Sequence, residues 1–185
     1  MKSYLHLKLI LGVLSLIICV SCVKDVDFDQ AEEIIIAPKV DLDLVFFNLG
    51  TDNFVASDAG IPVTVIRDTT RLEFLDDTFV RENLLEIDFV FRYDNSFPQV
   101  FEHRALFLDE EDEVLYAVTF DVDPSLDGMV TTTLYTQTVA EPDLDAIRNS
   151  IKMLIELTLE PNGDPVVGAL RHQSKALYSL EFGDL

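Results

Sequence analysis

Residues 84–93 read Leu84-Leu85-Glu86-Ile87-Asp88-Phe89-Val90-Phe91-Arg92-Tyr93, and their periodicity decides the fold class. Leu85, Ile87, Phe89, Phe91 and Tyr93 fall on alternate positions, with Glu86, Asp88 and Arg92 between them and Val90 as the exception. Successive side chains of an extended chain point to opposite faces. A segment apolar at every second residue therefore presents one face to a core and the other to water, as a half-buried antiparallel strand does.

The same period runs outward in both directions. Upstream, Val40, Leu42, Leu44 and Phe46 alternate with Asp41 and Asp43, and shorter candidates lie at 63–67 and 71–75. Downstream, Phe101, His103, Ala105 and Phe107 alternate along one strand, Asp109 to Asp112 form a turn, and Val114 to Phe120 return as a hairpin partner. The threonine-rich residues 130–139 suit a strand because β-branched side chains fit a pleated surface. Near Pro142 the period breaks, and 143–150 reads as one short helix. Ile151, Met153, Ile155, Leu157 and Leu159 resume the alternation, Pro161-Asn162-Gly163-Asp164-Pro165 marks a turn, and Ala176, Tyr178, Leu180 and Phe182 close the chain. About eight or nine short strands separated by turn signals predict an all-β fold, an antiparallel β-sandwich of immunoglobulin-like type with a barrel as the alternative. Residues 48–62 form the longest irregular segment, and exposed loops often carry function.

The N-terminus has a different character. Lys2 and Lys8 precede an apolar run from Leu9 to Val20, broken only by Gly12 and Ser15. A membrane span needs about 20 apolar residues, whereas a short run with basic flanks fits a secretory signal peptide. The run ends Ile18-Cys19-Val20-Ser21-Cys22. A small residue directly before a cysteine, after such a run, resembles the lipobox of bacterial lipoproteins. Cys19 stands where leucine is usual. The resemblance implies cleavage before Cys22, diacylglycerol on the Cys22 thiol and acylation of the new amino terminus, with palmitate-type chains as the anchor. Each buried methylene contributes about 0.8 kcal/mol, so two or three chains hold a protein on a membrane where one would not. The expected organisation is a signal peptide at 1–21, a lipidated acidic tether at 22–39 and a single domain at 40–185. The acidic residues of the tether resemble the export signals of lipoproteins displayed on some Gram-negative surfaces; a plain solvated linker has the same composition.

Composition narrows the function. The chain of 185 residues carries a formal net charge of −21, and loss of the signal removes two lysines and no acid. That balance disfavours nucleic acid, whose phosphates require Lys and Arg patches, and anionic headgroups as a docking surface. Of the two cysteines, Cys19 leaves with the signal and Cys22 is acylated. No disulfide, thiolate metal site or cysteine nucleophile then remains, and a core rich in phenylalanine (13 Phe, 5 Tyr, no Trp) must supply the stability.

Motifs for chemistry are sparse. Asp121, Asp123 and Asp127, followed by Gly128, place oxygen ligands at alternate positions as a calcium loop does. Leu126 occupies the position where an EF-hand needs glycine, and Thr132 the position of its glutamate; a polar turn between strands explains the same residues. Asp109 to Glu113 is a solvated charge run, and Asp76-Asp77 reads likewise. His103 falls on a strand face shared with Phe101 and Ala105, and His172 in the polar stretch Arg171 to Lys175. Arg92 to Pro98 reads as a turn, with a ligand loop as the functional alternative. No G-x-S-x-G elbow, P-loop or dinucleotide fingerprint is present, and no cofactor is expected. The expected function is a noncatalytic binding or scaffolding module, lipid-anchored in the cell envelope on the outer membrane, with an envelope protein or an extracellular glycan as partner. A carbohydrate-binding accessory of a nutrient-uptake system is the alternative, and a carboxylate-dependent hydrolase a further one.

Overall fold

In the computed structural model, which describes residues 37–54 and 63–182, the alternating segments become eight strands. They are β1 (Lys39–Gly50), β2 (Val65–Arg71), β3 (Leu84–Asn95), β4 (Phe101–Leu108), β5 (Val114–Val122), β6 (Thr131–Val139), β7 (Lys152–Leu159) and β8 (Ala169–Leu180). Two short helices, α1 (Thr78–Glu82) and α2 (Leu144–Arg148), punctuate them. The expected signal peptide, Cys22 and the expected tether up to residue 36 lie outside the described residues, as does most of the irregular segment at 48–62.

The strands form two four-stranded sheets, in the orders β1-β8-β3-β6 and β2-β7-β4-β5, and every pairing is antiparallel. The antiparallel sandwich stands as expected. Within that class the connectivity is that of a jelly roll rather than an immunoglobulin domain: only the β4–β5 hairpin stays within one sheet, and every other connection crosses between sheets. The repeated crossing sets the two inner faces against each other, which buries the alternating apolar positions.

Those positions are the ones the sequence marks. Ile87, Phe89, Phe91 and Tyr93 of β3 and Phe101, Ala105 and Phe107 of β4 are fully buried, with Met153, Ile155 and Leu157 of β7 beside them. A buried side chain of this size contributes about 1.5–3 kcal/mol relative to exposure. Edge-on and tilted ring contacts tie the layers together, Phe89 against Phe107 at 4.6 Å and Phe54 against Phe97 at 5.3 Å.

Two apolar residues leave the expected faces, and one physical cause accounts for both. The β1–β8 register shifts between Asp43 and Phe46, and the Ser174 hydroxyl fills the gap by accepting from the Val45 N–H at 3.2 Å and donating to the Val45 carbonyl at 3.3 Å. A bulge inserts one residue and inverts the in–out phase beyond it. Phe46, expected on the face of Val40, Leu42 and Leu44, is therefore 57% exposed, while Phe47 packs inward against Tyr93 and His172. The β3–β8 register shifts likewise between Leu84 and Glu86, so Leu84 is buried and Leu85 is 48% exposed.

The remaining differences are local. The candidates at 63–67 and 71–75 become the single strand β2 and a 3-10 turn at Glu73–Asp76. The polar stretch around His172 is the middle of β8, whose inward positions His172 and Ser174 give no apolar signal. The short helix near 143–150 is α2, which inserts Leu144 and Ile147 into the core. At α1, which the sequence reading did not anticipate, the Asp77 carboxylate accepts from the Phe79 N–H at 2.8 Å as an N-cap.

Candidate functional site

The strand registers give the sandwich two distinct ends. Lys39, Ser179, Glu86 and Val139 lie toward the end where β1 begins, and Gly50, Ala169, Asn95 and Thr131 toward the other, termed distal here. The connections β3–β4, β5–β6 and β7–β8 cluster at the distal end, and the sequence-predicted polar residues fall mostly there.

The three carboxylates proposed for calcium are not gathered. Asp121 lies on the outer face of its sheet directly opposite Glu102, the Asp123 N–H donates to the Thr133 hydroxyl at 2.9 Å, and Asp127 sits at the crest of a turn with φ 54°. Among the described residues no group of three or more His, Cys, Asp or Glu side chains is placed to hold a metal ion. The run Asp109 to Glu113 is an ordered turn: the Asp109 carboxylate accepts from the N–H groups of Glu111 and Glu113 at 3.0 and 2.9 Å, and Asp112 pairs with Lys152.

The Arg92 to Pro98 segment is a structural knot. Asn95 is fully buried. Its amide donates to the carbonyls of Gln99 and Asp123 at 3.1 and 2.9 Å, and its oxygen accepts from the Phe97 N–H at 2.8 Å. Gln99 in turn donates to the Asp164 carbonyl at 3.0 Å, joining this turn to the β7–β8 connection. Asp94 accepts from the Thr132 hydroxyl at 2.7 Å and pairs with Arg92, and these contacts hold its carboxyl below the ordinary range.

The structure does unite two residues that the sequence left apart. His103 on β4 and His172 on β8 project from facing sheets into the same layer, fully buried, with ring centroids 5.9 Å apart. Phe47, Phe91, Tyr93 and Phe120 surround them, with Tyr93 4.3 Å from His172 and Phe120 4.5 Å from His103. Tyr93 and His103 Nδ1 share a hydrogen bond of 2.8 Å. His103 Nε2 and both ring nitrogens of His172 have no hydrogen-bond partner. The Arg92 backbone lies near enough to His172 to favour its charged form somewhat, but not in hydrogen-bonding geometry. Burial dominates and brings both pKa values down to about 3, with the neighbouring His172 charge further lowering that of His103. Burial also drives the Tyr93 hydroxyl well above its ordinary value. These are two neutral imidazoles sealed among aromatic rings: unable to reach a substrate, but able to link folding to protonation. Their spacing along the sequence could not show the pairing, because it arises from the facing of two sheets.

A second feature escaped the sequence reading because its residues look like an ordinary turn. Leu126 and Met129 form a bridge around Asp127 and Gly128, both in the left-handed region with φ 54° and 73°. Such a two-residue turn matches the twist of a hairpin. Ser125 fixes its base, donating from its N–H to the Phe97 carbonyl at 2.8 Å and from its hydroxyl to the Met129 carbonyl at 2.7 Å. The turn lifts Leu126, Met129 and Val130 into solvent at 68, 68 and 63% exposure. Val167 of the β7–β8 connection is exposed at the same end. Clefts also open on the flank where β1 and β2 are edge strands. One of about 560 Å³ is floored by Leu42, Leu44, Leu72 and Phe74, and one of about 210 Å³ by Phe47, Ile66 and Leu157.

No family model matches the chain. No curated protein matches it either. Among solved structures it is similar to the infectious bursal disease virus particle (7% identity, TM-score 0.47, covering 78% of this chain and 31% of that one). It is also similar to a protein of Parabacteroides distasonis (11%, 0.44, 64% and 40%) and to tailspike protein 4 of bacteriophage CBA120 (10%, 0.35, 84% and 20%). The chain thus spans well under half the length of these structures.

Proposed function

We propose that this chain is a noncatalytic binding module, held in a bacterial cell envelope by lipid on Cys22, that engages its partner through the distal tip of Leu126, Met129 and Val130. The observation that carries this reading is the tip itself: large apolar side chains displayed on a turn whose base is fixed by hydrogen bonds. Exposed apolar groups clustered in this way mark interaction sites, and a rigid display lowers the ordering cost of binding. Within the domain, the tip lies at the end of the sheets opposite the start of β1, the strand that follows Cys22 in sequence.

A glycan-binding accessory would need free aromatic faces. The exposed Phe46 has the Arg171 guanidinium over its ring at 5.4 Å, and the exposed Phe79 stacks on Phe182 at 4.8 Å. Neither offers an open platform, so a protein partner with an apolar pocket fits the surface better.

The test has two parts. Mass spectrometry of the N-terminal peptide from fractionated cells should find lipid on Cys22 in the outer-membrane fraction, with Cys22→Ala released or retained as precursor; an unmodified Cys22 in a soluble fraction removes the anchor. Photocrosslinking from position 126 in intact cells should give a discrete adduct that the Met129→Asp substitution abolishes, whereas crosslinking from Thr119, exposed on the outer face of β5, should give none. Equal labelling from both positions would remove the tip.

A further inference from the structure

Among the described residues the sandwich has four edge strands, and three are guarded against pairing. The β1 edge carries a bulge and Lys39, Asp41 and Asp43. Arg67, Asp68 and Arg71 stud β2. The β5 edge carries Asp121, and its register with β4 shifts at Leu108. Charges and bulges of this kind are how sheets avoid edge-to-edge association. The fourth edge has neither. β6 reads Thr131-Thr132-Thr133-Leu134-Tyr135-Thr136-Gln137-Thr138-Val139 and, among the described residues, is the one strand without an Asp, Glu, Lys or Arg. It pairs with β3 in unbroken register from Ile87 opposite Val139 to Asn95 opposite Thr131. A regular antiparallel strand turns the N–H and C=O groups of alternate residues away from its one neighbour, which among the described residues is β3, so β6 offers an unguarded row of donors and acceptors there. Its outward side chains are exposed, Leu134 at 66%.

We infer that β6 is the surface on which a second copy of this chain docks, antiparallel β6 against β6 across a two-fold axis, joining two four-stranded sheets into one. Charge selects this occupant. With a net charge of −21, two copies repel wherever charged faces meet, and a strand with no acidic or basic side chain is where they can approach. The nearest carboxylates on the neighbouring β3 are already engaged within the same sheet, Asp94 by Thr132 at 2.7 Å and Asp88 by Thr138 at 2.5 Å. An isologous contact requires a surface complementary to itself, and β6, with β-branched side chains at six of its nine positions, meets its own reverse with residues that pair well across strands. The inference is independent of the distal tip and of the anchor.

Sedimentation velocity of the protein in mild detergent tests it. The expected result is a concentration-dependent dimer that tightens as salt screens the distant acidic charges. Leu134→Lys with Thr136→Lys sets like charges across the axis and should weaken association about a hundredfold. Gln173→Lys, on the same outer face but two strands from the edge, should leave it unchanged. Amide exchange on the unsubstituted protein provides a second readout that needs no variant: protection that rises with concentration should be confined to β6. A monomer at all concentrations and salts, protection mapping to another strand, or a dimer that survives the lysine pair would each overturn the inference.

Discussion

The buried histidine pair makes stability depend on pH in a calculable way. His103 and His172 have folded-state pKa values of about 3, against about 6.5 in an unfolded chain. The folded pKa is depressed, so the unfolded state binds more protons at every pH below about 6.5. Stability from this source is full above that value and is lost as pH falls toward 3. At pH 5 the unfolded imidazoles are almost wholly protonated and the folded ones are not, a difference of about 2 kcal/mol for each histidine and about 4 kcal/mol for the pair. Urea titrations at about pH 7.5 and 5, followed by far-UV circular dichroism, measure the loss. The control is His103→Phe with His172→Phe, which keeps a ring in each position among Phe47, Phe91 and Phe120 and removes both proton sites. Carboxylates titrate alike in both proteins, so the excess pH sensitivity of the unsubstituted chain isolates the histidines. An excess below about 1 kcal/mol, or His103 and His172 ring-proton resonances titrating near pH 6.5 in the folded protein, would refute the reasoning.

Two further substitutions probe the distal framework. A Cβ added at Gly168 would stand 2.8 Å from the Phe97 nitrogen and 2.9 Å from its Cα; backbone cannot retreat as a flexible side chain does, so Gly168→Ala should cost about 1–3 kcal/mol, read as a lowered melting temperature. Asn95→Ala leaves the Gln99 and Asp123 carbonyls and the Phe97 N–H without their partner. It should destabilise by about 2–4 kcal/mol, and a loss below 1 kcal/mol would mean that water replaces the amide.

How far the sequence reached depended on whether a side chain's position was set by its own strand or by its neighbours. Alternation is a property of one strand, and it placed Ile87, Phe89, Phe91 and Tyr93 correctly, as it did Phe101, Ala105 and Phe107. It carried the sandwich but not the strand order, since the crossing of each connection between sheets leaves no mark on local periodicity. Phe46 and Leu85 were placed on the wrong faces because the bulges that turn them outward are set by pairing with β8, and Ser174, which completes the first bulge, is an unremarkable serine in sequence.

The same distinction explains why the candidate sites were the least legible part. Asp121, Asp123 and Asp127 looked like a ligand set because they are close in sequence, yet ladder position and turn geometry send them apart. His103 and His172 are 69 residues apart in sequence and looked unrelated, yet facing sheets bring their rings to 5.9 Å. Read as a turn, Leu126 to Val130 gave no hint of display, because exposure there follows from the left-handed crest at Asp127 and Gly128 and from the Ser125 anchor. The lack of charge along 131–139 can be read from the sequence, but it acquires meaning only once the sheet order shows that, among the described residues, β6 has a neighbour on one side alone. In a chain this acidic, a strand without a charged side chain at the edge of a sheet is where two copies would meet the least like charge, and that physical asymmetry among the edges is what singles β6 out as the proposed interface.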